Sequence, residues 1–334
     1  MLQRTDAPRI NPADETIGIK GLTVRFLVTG SESNGSVAAF ELAVAGSLRL
    51  PAPAHSHDHY EETIYGIEGT LTWTVEGKAI DVGPGQALCI PRGAVHRFDN
   101  NASADAKALC VITPAAIGPD YFRETFALLN AAAGGPPDKA RLLEIMRRHA
   151  LRRRCPRRKA RGAAGCRKAG TLVPAPEWGS MMKAVVVAPG AGRFVAVGSA
   201  GAGVMVKASE TETGGLCTVW ESRIAPGMVG AGAHYHRGRD EFFYVLEGEL
   251  VLRIGEERQT ARAGTFAFIP RGTIHGFHNA NSASATLLVM HHPAGFERYF
   301  EEVQQLAARH GGREEQAGLA ARFDVIPVPA SAQT

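Results

Sequence analysis

One stretch of this 334-residue chain occurs twice. His55-Ser-His57-Asp-His-Tyr-Glu-Glu62-Thr-Ile-Tyr65-Gly-Ile-Glu68-Gly69 returns as His234-Tyr-His236-Arg-Gly-Arg-Asp-Glu241-Phe-Phe-Tyr244-Val-Leu-Glu247-Gly248, displaced by 179 positions. The same displacement carries Gly85, Pro91, Arg92, Gly93, His96, Phe98 and Asn100 onto Gly264, Pro270, Arg271, Gly272, His275, Phe277 and Asn279, and Pro114 onto Pro293. A repeat this long predicts two copies of one small domain. Because the halves differ at most other positions, the shared residues mark what the unit needs.

Between them the pattern is strand and turn. Leu71-Thr-Trp73-Thr-Val75, Leu250-Val-Leu-Arg-Ile254 and Thr265-Phe-Ala-Phe-Ile269 are short, rich in β-branched and aromatic residues, and bounded by Gly or Pro. Each half is therefore expected to be an all-β antiparallel barrel or sandwich. Helical periodicity follows each repeat. Phe296, Tyr299, Phe300, Val303, Leu306 and Ala307 share one face of a helix ended by Gly311-Gly312. Its counterpart is expected from Asp120 through Leu129, with a further helix from Asp138 to about Leu151.

In a strand, side chains two apart share a side, so His55 with His57, and His234 with His236, can both aim inward. Glu62 and Glu241 stand five positions beyond the second His, which on an unbroken strand would face outward. A turn or bulge within Asp58–Glu61 and Arg237–Asp240 must restore the phase. The Pro-Arg-Gly triplets then predict a tight turn before His96 and His275. Three imidazoles and a carboxylate are expensive to bury without a cation, so each half is expected to hold a divalent metal with positions open to water, substrate or dioxygen. Phe98 and Phe277 share the phase of His96 and His275 and are expected to give the cavity an apolar wall. His59, His278, His291 and His292 have no partner in the other half and read either as surface residues or as residues that contact the metal ligands from outside.

The spacing of these residues resembles the two motifs of the cupin superfamily in both halves: HxH, four residues, Glu, six residues, Gly; then Gly, five residues, Pro-x-Gly, two residues, His, three residues, Asn. One departure is Pro51 where Gly is usual; Gly230 keeps it in the second half. The resemblance implies tandem jelly-roll barrels, a bicupin, with a metal on His55, His57, Glu62 and His96 and a second on His234, His236, Glu241 and His275. The tail Pro293-Ala-Gly-Phe296-Glu-Arg-Tyr-Phe300 is similar, more loosely, to bacterial cupins of the quercetin dioxygenase-like type.

The leading expectation is a metal-dependent dioxygenase acting on an enol-bearing or aromatic small molecule, with Glu62 or Glu241 as ligand and proton acceptor. An oxalate-decarboxylase-like manganese bicupin and a non-enzymatic metal- or ligand-binding barrel are the alternatives. The ligand set suits Fe, Mn, Ni, Co, Cu or Zn, up to one per half. The halves are expected to pair, within one chain or between chains.

The formal charge of +4 hints at an acidic partner until it is localised. Residues 147–168 hold eleven Lys or Arg and no acid; outside them 26 basic residues face 33 acidic ones, a net charge of −7. The basicity belongs to a linker, residues 147–182, expected to be solvated and disordered rather than nucleic-acid-binding, since no aromatics are interleaved for stacking. Met181-Met182-Lys183 at its end resembles a start of translation, as if two reading frames had been joined. That division leaves residues 1–146 and 183–334 as the two domains. Five cysteines without a CxxC spacing give no disulfide framework or thiolate zinc site. Without a signal-like or membrane-spanning apolar run, a cytoplasmic location is expected.

Overall fold

The computed structural model describes residues 9–10, 15–49, 53–132, 135–149, 151–153, 184–197, 202–230 and 232–328. Each half is built from one seven-stranded and one five-stranded antiparallel sheet. In the first half the larger sheet runs in the order Val185–Val187, Ala87–Ile90, Glu61–Glu68, Ala106–Thr113, Ala38–Val44, Leu22–Val28, Thr16–Ile19. The smaller runs Leu151–Arg153, His55–His57, His96–Asp99, Leu71–Val75, Lys78–Val82. The second half repeats this plan: Arg9–Ile10, Phe266–Ile269, Asp240–Glu247, Ala285–His292, Thr218–Ile224, Gly203–Ala208, Arg193–Ala196, and then Ile326–Pro327, His234–Tyr235, His275–His278, Glu249–Ile254, Glu257–Arg262. The fold is two tandem jelly-roll barrels.

Alternation along the central strands explains why the larger sheets are buried on both faces. Phe243 and Val245 turn into their own barrel, whereas Phe242 and Tyr244 turn toward the other one. Leu109 and Val111 do the same in the first half, against inward Ala108, Cys110 and Ile112. The outward residues of both sheets form one apolar layer between the barrels. The layer carries a reciprocal polar pair: Tyr65 Oη donates to Glu221 at 2.6 Å, and Tyr244 Oη donates to Glu41 at 2.8 Å. Such exchange is the mark of a two-fold-like, self-complementary interface. The backbone repeats it, because Val185–Val187 pairs with Ala87–Cys89 of the first barrel and Arg9–Ile10 with Ala267–Phe268 of the second.

These exchanges correct the domain limits expected from sequence. Residues 147–149 and 151–153, assigned there to the linker, belong to the first barrel: the helix Lys139–Arg148 ends in the former, and Leu151–Arg153 pairs with the ligand strand His55–His57. Each barrel also takes its outermost large-sheet strand from the chain segment leading into the other. The remaining linker, including Cys155, Cys166 and Met181-Met182, lies outside the described residues. Cys89, Cys110 and Cys217 are buried and free.

The helices follow the barrels at Pro119–Ala131, Lys139–Arg148 and Glu297–Ala308, with Asp138 capping the second by accepting from Ala140 N and Arg141 N. The second helix stops at Arg148, three residues short of expectation, because the chain must extend to join the sheet at Leu151. A helix not read from the sequence, Arg313–Arg322, begins right after Gly311-Gly312. It lacks an apolar stripe and buries only Leu319, so periodicity could not reveal it. Among the described residues no helix is long and apolar enough to cross a membrane.

Candidate metal centres

The triplets and the ligand strands build each site together. Gly93 and Gly272 have positive φ, 78° and 85°, which a Cβ would strain. In that conformation their N–H groups donate to the carbonyls of His57 and His236, at 2.6 and 2.5 Å. The neighbouring Arg92 pairs with Glu61 at 2.9 Å, and Arg271 with Asp240 at 2.9 Å, so each Arg anchors the strand that carries Glu62 or Glu241. The bends after His57 and Tyr235 carry the chain from the smaller sheet to the larger, which supplies the phase change that the five-residue step required. The imidazoles of each half therefore come from the smaller sheet, His236 from the residue just past its strand, and the carboxylate from the larger one.

The second site gathers all four expected side chains. Donor atoms of His234, His236, Glu241 and His275 lie within 4.8 Å of one another, and all four residues are buried. In the first site His55, His57 and His96 meet the same condition. Glu62 stands outside that group, with its Oε2 3.3 Å from His96 Nε2.

The ring orientations suit a cation. His55, His96, His234 and His275 each turn Nδ1 toward the carbonyl two residues upstream, at 3.4, 3.0, 2.7 and 2.9 Å, and His236 Nδ1 faces Asp324 O at 2.7 Å. A carbonyl only accepts, so those nitrogens carry the proton and each Nε2 keeps its lone pair for a metal. The Nε2 atoms of His96, His236 and His275 are buried without a hydrogen-bond partner, as is Glu241 Oε2. His275 Nε2 and His236 Nε2 approach Glu241 Oε2 to 2.6 and 3.3 Å but lack hydrogen-bond alignment. Orphaned atoms aimed at one point are what a ligand set presents before its cation arrives.

Charge tells the same story. Burial, reinforced by His96, pushes His55 down to about 3, and burial with His275 pushes His234 down to about 3 against the pull of Glu241. Both rings are neutral near pH 7, the state a metal requires. Burial would raise the Glu241 carboxyl, yet His291 and His275 hold it well below the usual range.

The surroundings of the two sites diverge. Beside the first lies a cavity of about 250 Å³, walled by Phe40, Trp73, Phe98, Ile112 and Phe122 among others. Phe98 lines it, packed 4.8 Å from Trp73, and Tyr60 stacks on His57 at 4.0 Å. Phe277 instead packs edge-on against Phe243 at 5.7 Å and closely under Gly230, where a Cβ would come within 2.2 Å of its ring. Pro51, the counterpart of that glycine, lies outside the described residues.

Of the two readings for His291, surface residue or outer contact of a metal ligand, the structure has the second. His291 is 0% exposed, and its Nε2 lies 3.3 Å from Glu241 Oε1. Its signal was present in the strand phase: Ala285, Leu287 and Val289 face the core of the second barrel, and His291 continues their side. Asp324 was not legible in the sequence, because it reaches His236 from a distant turn. His59 is exposed, while His278 and His292 are half-buried.

Known proteins share this plan. A model of the cupin domain matches residues 49–112 and again 220–291. The tetracenomycin polyketide synthase protein TcmJ of Streptomyces glaucescens is 30% identical over 121 residues, 35% of this chain and 78% of that protein. An uncharacterized protein of Aquifex aeolicus is 36% identical over 56 residues, 17% of this chain and 46% of that protein. Among solved structures, a Bacillus subtilis oxalate decarboxylase superposes with a TM-score of 0.55 at 15% identity, covering 97% of this chain and 89% of its own. The Escherichia coli protein Ylba gives 0.56 at 12%, covering 86% and 92%. At those identities the superpositions speak for the fold alone. With the cupin domain matched in both halves, the barrels paired, and a relative 30% identical matched over 78% of its length, the chain belongs to the cupin family as a two-domain member.

Proposed function

We propose that this protein is a metal-dependent enzyme whose first barrel takes a small aromatic or enol-bearing substrate and joins it to dioxygen. The observation that carries this reading is the apolar cavity opening onto His55, His57 and His96. Its volume, about 250 Å³, is just below the usual range for ligand pockets and suits a small molecule of about one or two rings. The relative TcmJ is named for a polyketide synthase, and polyketides carry enolisable 1,3-dicarbonyl units, which supports the same class.

His55, His57, His96 and Glu62 would hold the metal in the first barrel, and His234, His236, Glu241 and His275 in the second. A bound divalent transition metal would supply Lewis acidity to a substrate oxygen and a place for dioxygen. The protein does the rest. Phe98 and Trp73 give the substrate ring an aromatic wall, and the mostly apolar lining favours the ring over water. Glu62 Oε2, held beside His96, accepts the enol proton as the substrate docks.

The test is dioxygen uptake by Fe-, Mn- and Ni-loaded protein over a panel of flavonols, 1,3-diketones and oxalate. Uptake with an enol-bearing member, lost in Glu62→Ala, is expected. Silence of all enols in metal-replete protein, or oxalate breakdown without enol turnover, would overturn the reading.

A further inference from the structure

The two sites place the same ligand types in the same register, yet only the second draws its carboxylate into the group. The difference lies one strand away. Across the large sheet Glu62 is paired with Ile112, and Glu241 with His291. The side chain of Ile112 offers Glu62 only hydrocarbon, and the donor near Glu62 on that strand is the weak thiol of Cys110.

What His291 offers is determined by its other neighbours. Trp220 Nε1 lies 3.3 Å from His291 Nδ1. An indole nitrogen only donates, so Nδ1 is the acceptor and the neutral ring carries its hydrogen on Nε2. That nitrogen is buried, has no aligned partner, and faces Glu241 Oε1 at 3.3 Å. Phe296 stacks on the ring at 3.9 Å and removes its freedom to turn. The first barrel puts other residues in these places: Phe40 takes the register position of Trp220, since each lies opposite the matching strand residue, Cys110 or Val289. Phe40 and Ile112 line the cavity of the first site, whereas His291, with Trp220 behind it, faces the carboxylate of the second.

Granting that both sites bind metal, the geometry points to His291 as a positioning residue that holds Glu241 by one oxygen and turns the other toward His236 and His275. The second site is thereby organised before the cation arrives, and the first is not. Outer partners of this kind are worth about 10–100-fold in metal affinity. One equivalent of a divalent cation therefore fills the second barrel first.

The experiment is equilibrium dialysis of the full chain against Mn²⁺ with metal analysis. A tight class of one Mn²⁺ per chain is expected, lost in Glu241→Ala and kept in Glu62→Ala. His291→Ile, which installs the residue of the first barrel, weakens that class about 10–100-fold. His291→Gln, whose amide keeps an N–H donor, recovers most of the loss. Trp220→Phe, which removes the donor and keeps the ring, should weaken the class severalfold and serves if His291→Ile does not fold. Pulsed electron paramagnetic resonance of the first Mn²⁺ should count three imidazoles; a fourth, lost in His291→Gln, would make His291 a ligand and overturn the assignment. Two equal classes, or a tight class indifferent to His291 and Trp220, would also overturn it. Failure of either site to bind Mn²⁺ or any other divalent cation would sink the metal reading itself, a result distinct from these.

Discussion

The phenol of Tyr65, in the first barrel, donates a 2.6 Å hydrogen bond to the carboxylate of Glu221 in the second, and Glu221 at the same time pairs with the buried ammonium of Lys207 at 2.9 Å. Lys207 is 1% exposed and also donates to Gly85 O at 3.0 Å. One carboxylate therefore compensates a buried cation and ties the barrels together. Removing it leaves that charge without a counter-ion, which costs about 3–5 kcal/mol. Tyr65→Phe removes only one hydrogen bond, worth about 1 kcal/mol. Chemical denaturation of the two variants should show Glu221→Ala as much the more damaging; equal small losses would mean that the ammonium finds water.

Acid should destabilise the metal-free protein early. His55 and His234 are pushed down to about 3 and His291 to about 4, chiefly by burial, whereas the unfolded rings titrate near 6.5. A depressed folded pKa gives stability that is complete above the unfolded value and is lost as pH falls toward the folded one. Each such ring adds a slope of about 1.4 kcal/mol per pH unit between roughly 6.5 and its folded value. Glu61, which burial raises to about 7 despite Arg92, works the other way as pH falls from there to its ordinary value. His275, where burial is outweighed by Glu241, is raised and so acts only above about 6.5. Because the three depressed rings outnumber Glu61, the melting temperature should fall steadily from about pH 6.5 downward. A flat profile to pH 4 would contradict the burial of the rings.

The cavity can be filled without touching the ligands. Leu48 is half-buried and lines its wall. Leu48→Trp should raise KM or abolish binding of an aromatic substrate while metal content, measured by mass spectrometry, stays unchanged. Equal loss of metal and substrate would place the side chain in the wrong relation to the site.

Asp324 makes a prediction specific to the second barrel. Its carbonyl faces His236 Nδ1 and its carboxylate accepts from Gly238 N, both at 2.7 Å. Ending the chain at Phe323 removes both contacts and the strand Ile326–Pro327 that pairs with His234–Tyr235. Mn²⁺ affinity of the second site should fall about 10–100-fold with the first site unaffected. Loss at both sites would show that the segment supports the pair of barrels and not one ligand.

The repeat displayed the metal-ligand types, the turns that align them and the two-barrel plan, because motif residues act through short-range geometry. His55 and His57 share a face by strand alternation, and Gly93 must turn where a side chain would strain. Even His291 had its phase written into its strand. What the linear order could not express is which strands meet. The first barrel borrows Val185–Val187 and the second borrows Arg9–Ile10, so the apparent domain limits are crossed twice. Likewise Ile112 and His291 acquire meaning only as the residues opposite Glu62 and Glu241. The sequence by itself determined the fold class and the two candidate ligand sets. The difference between the sites was decided by tertiary structure, because register between distant strands chooses whether a buried carboxylate faces a hydrocarbon or an N–H.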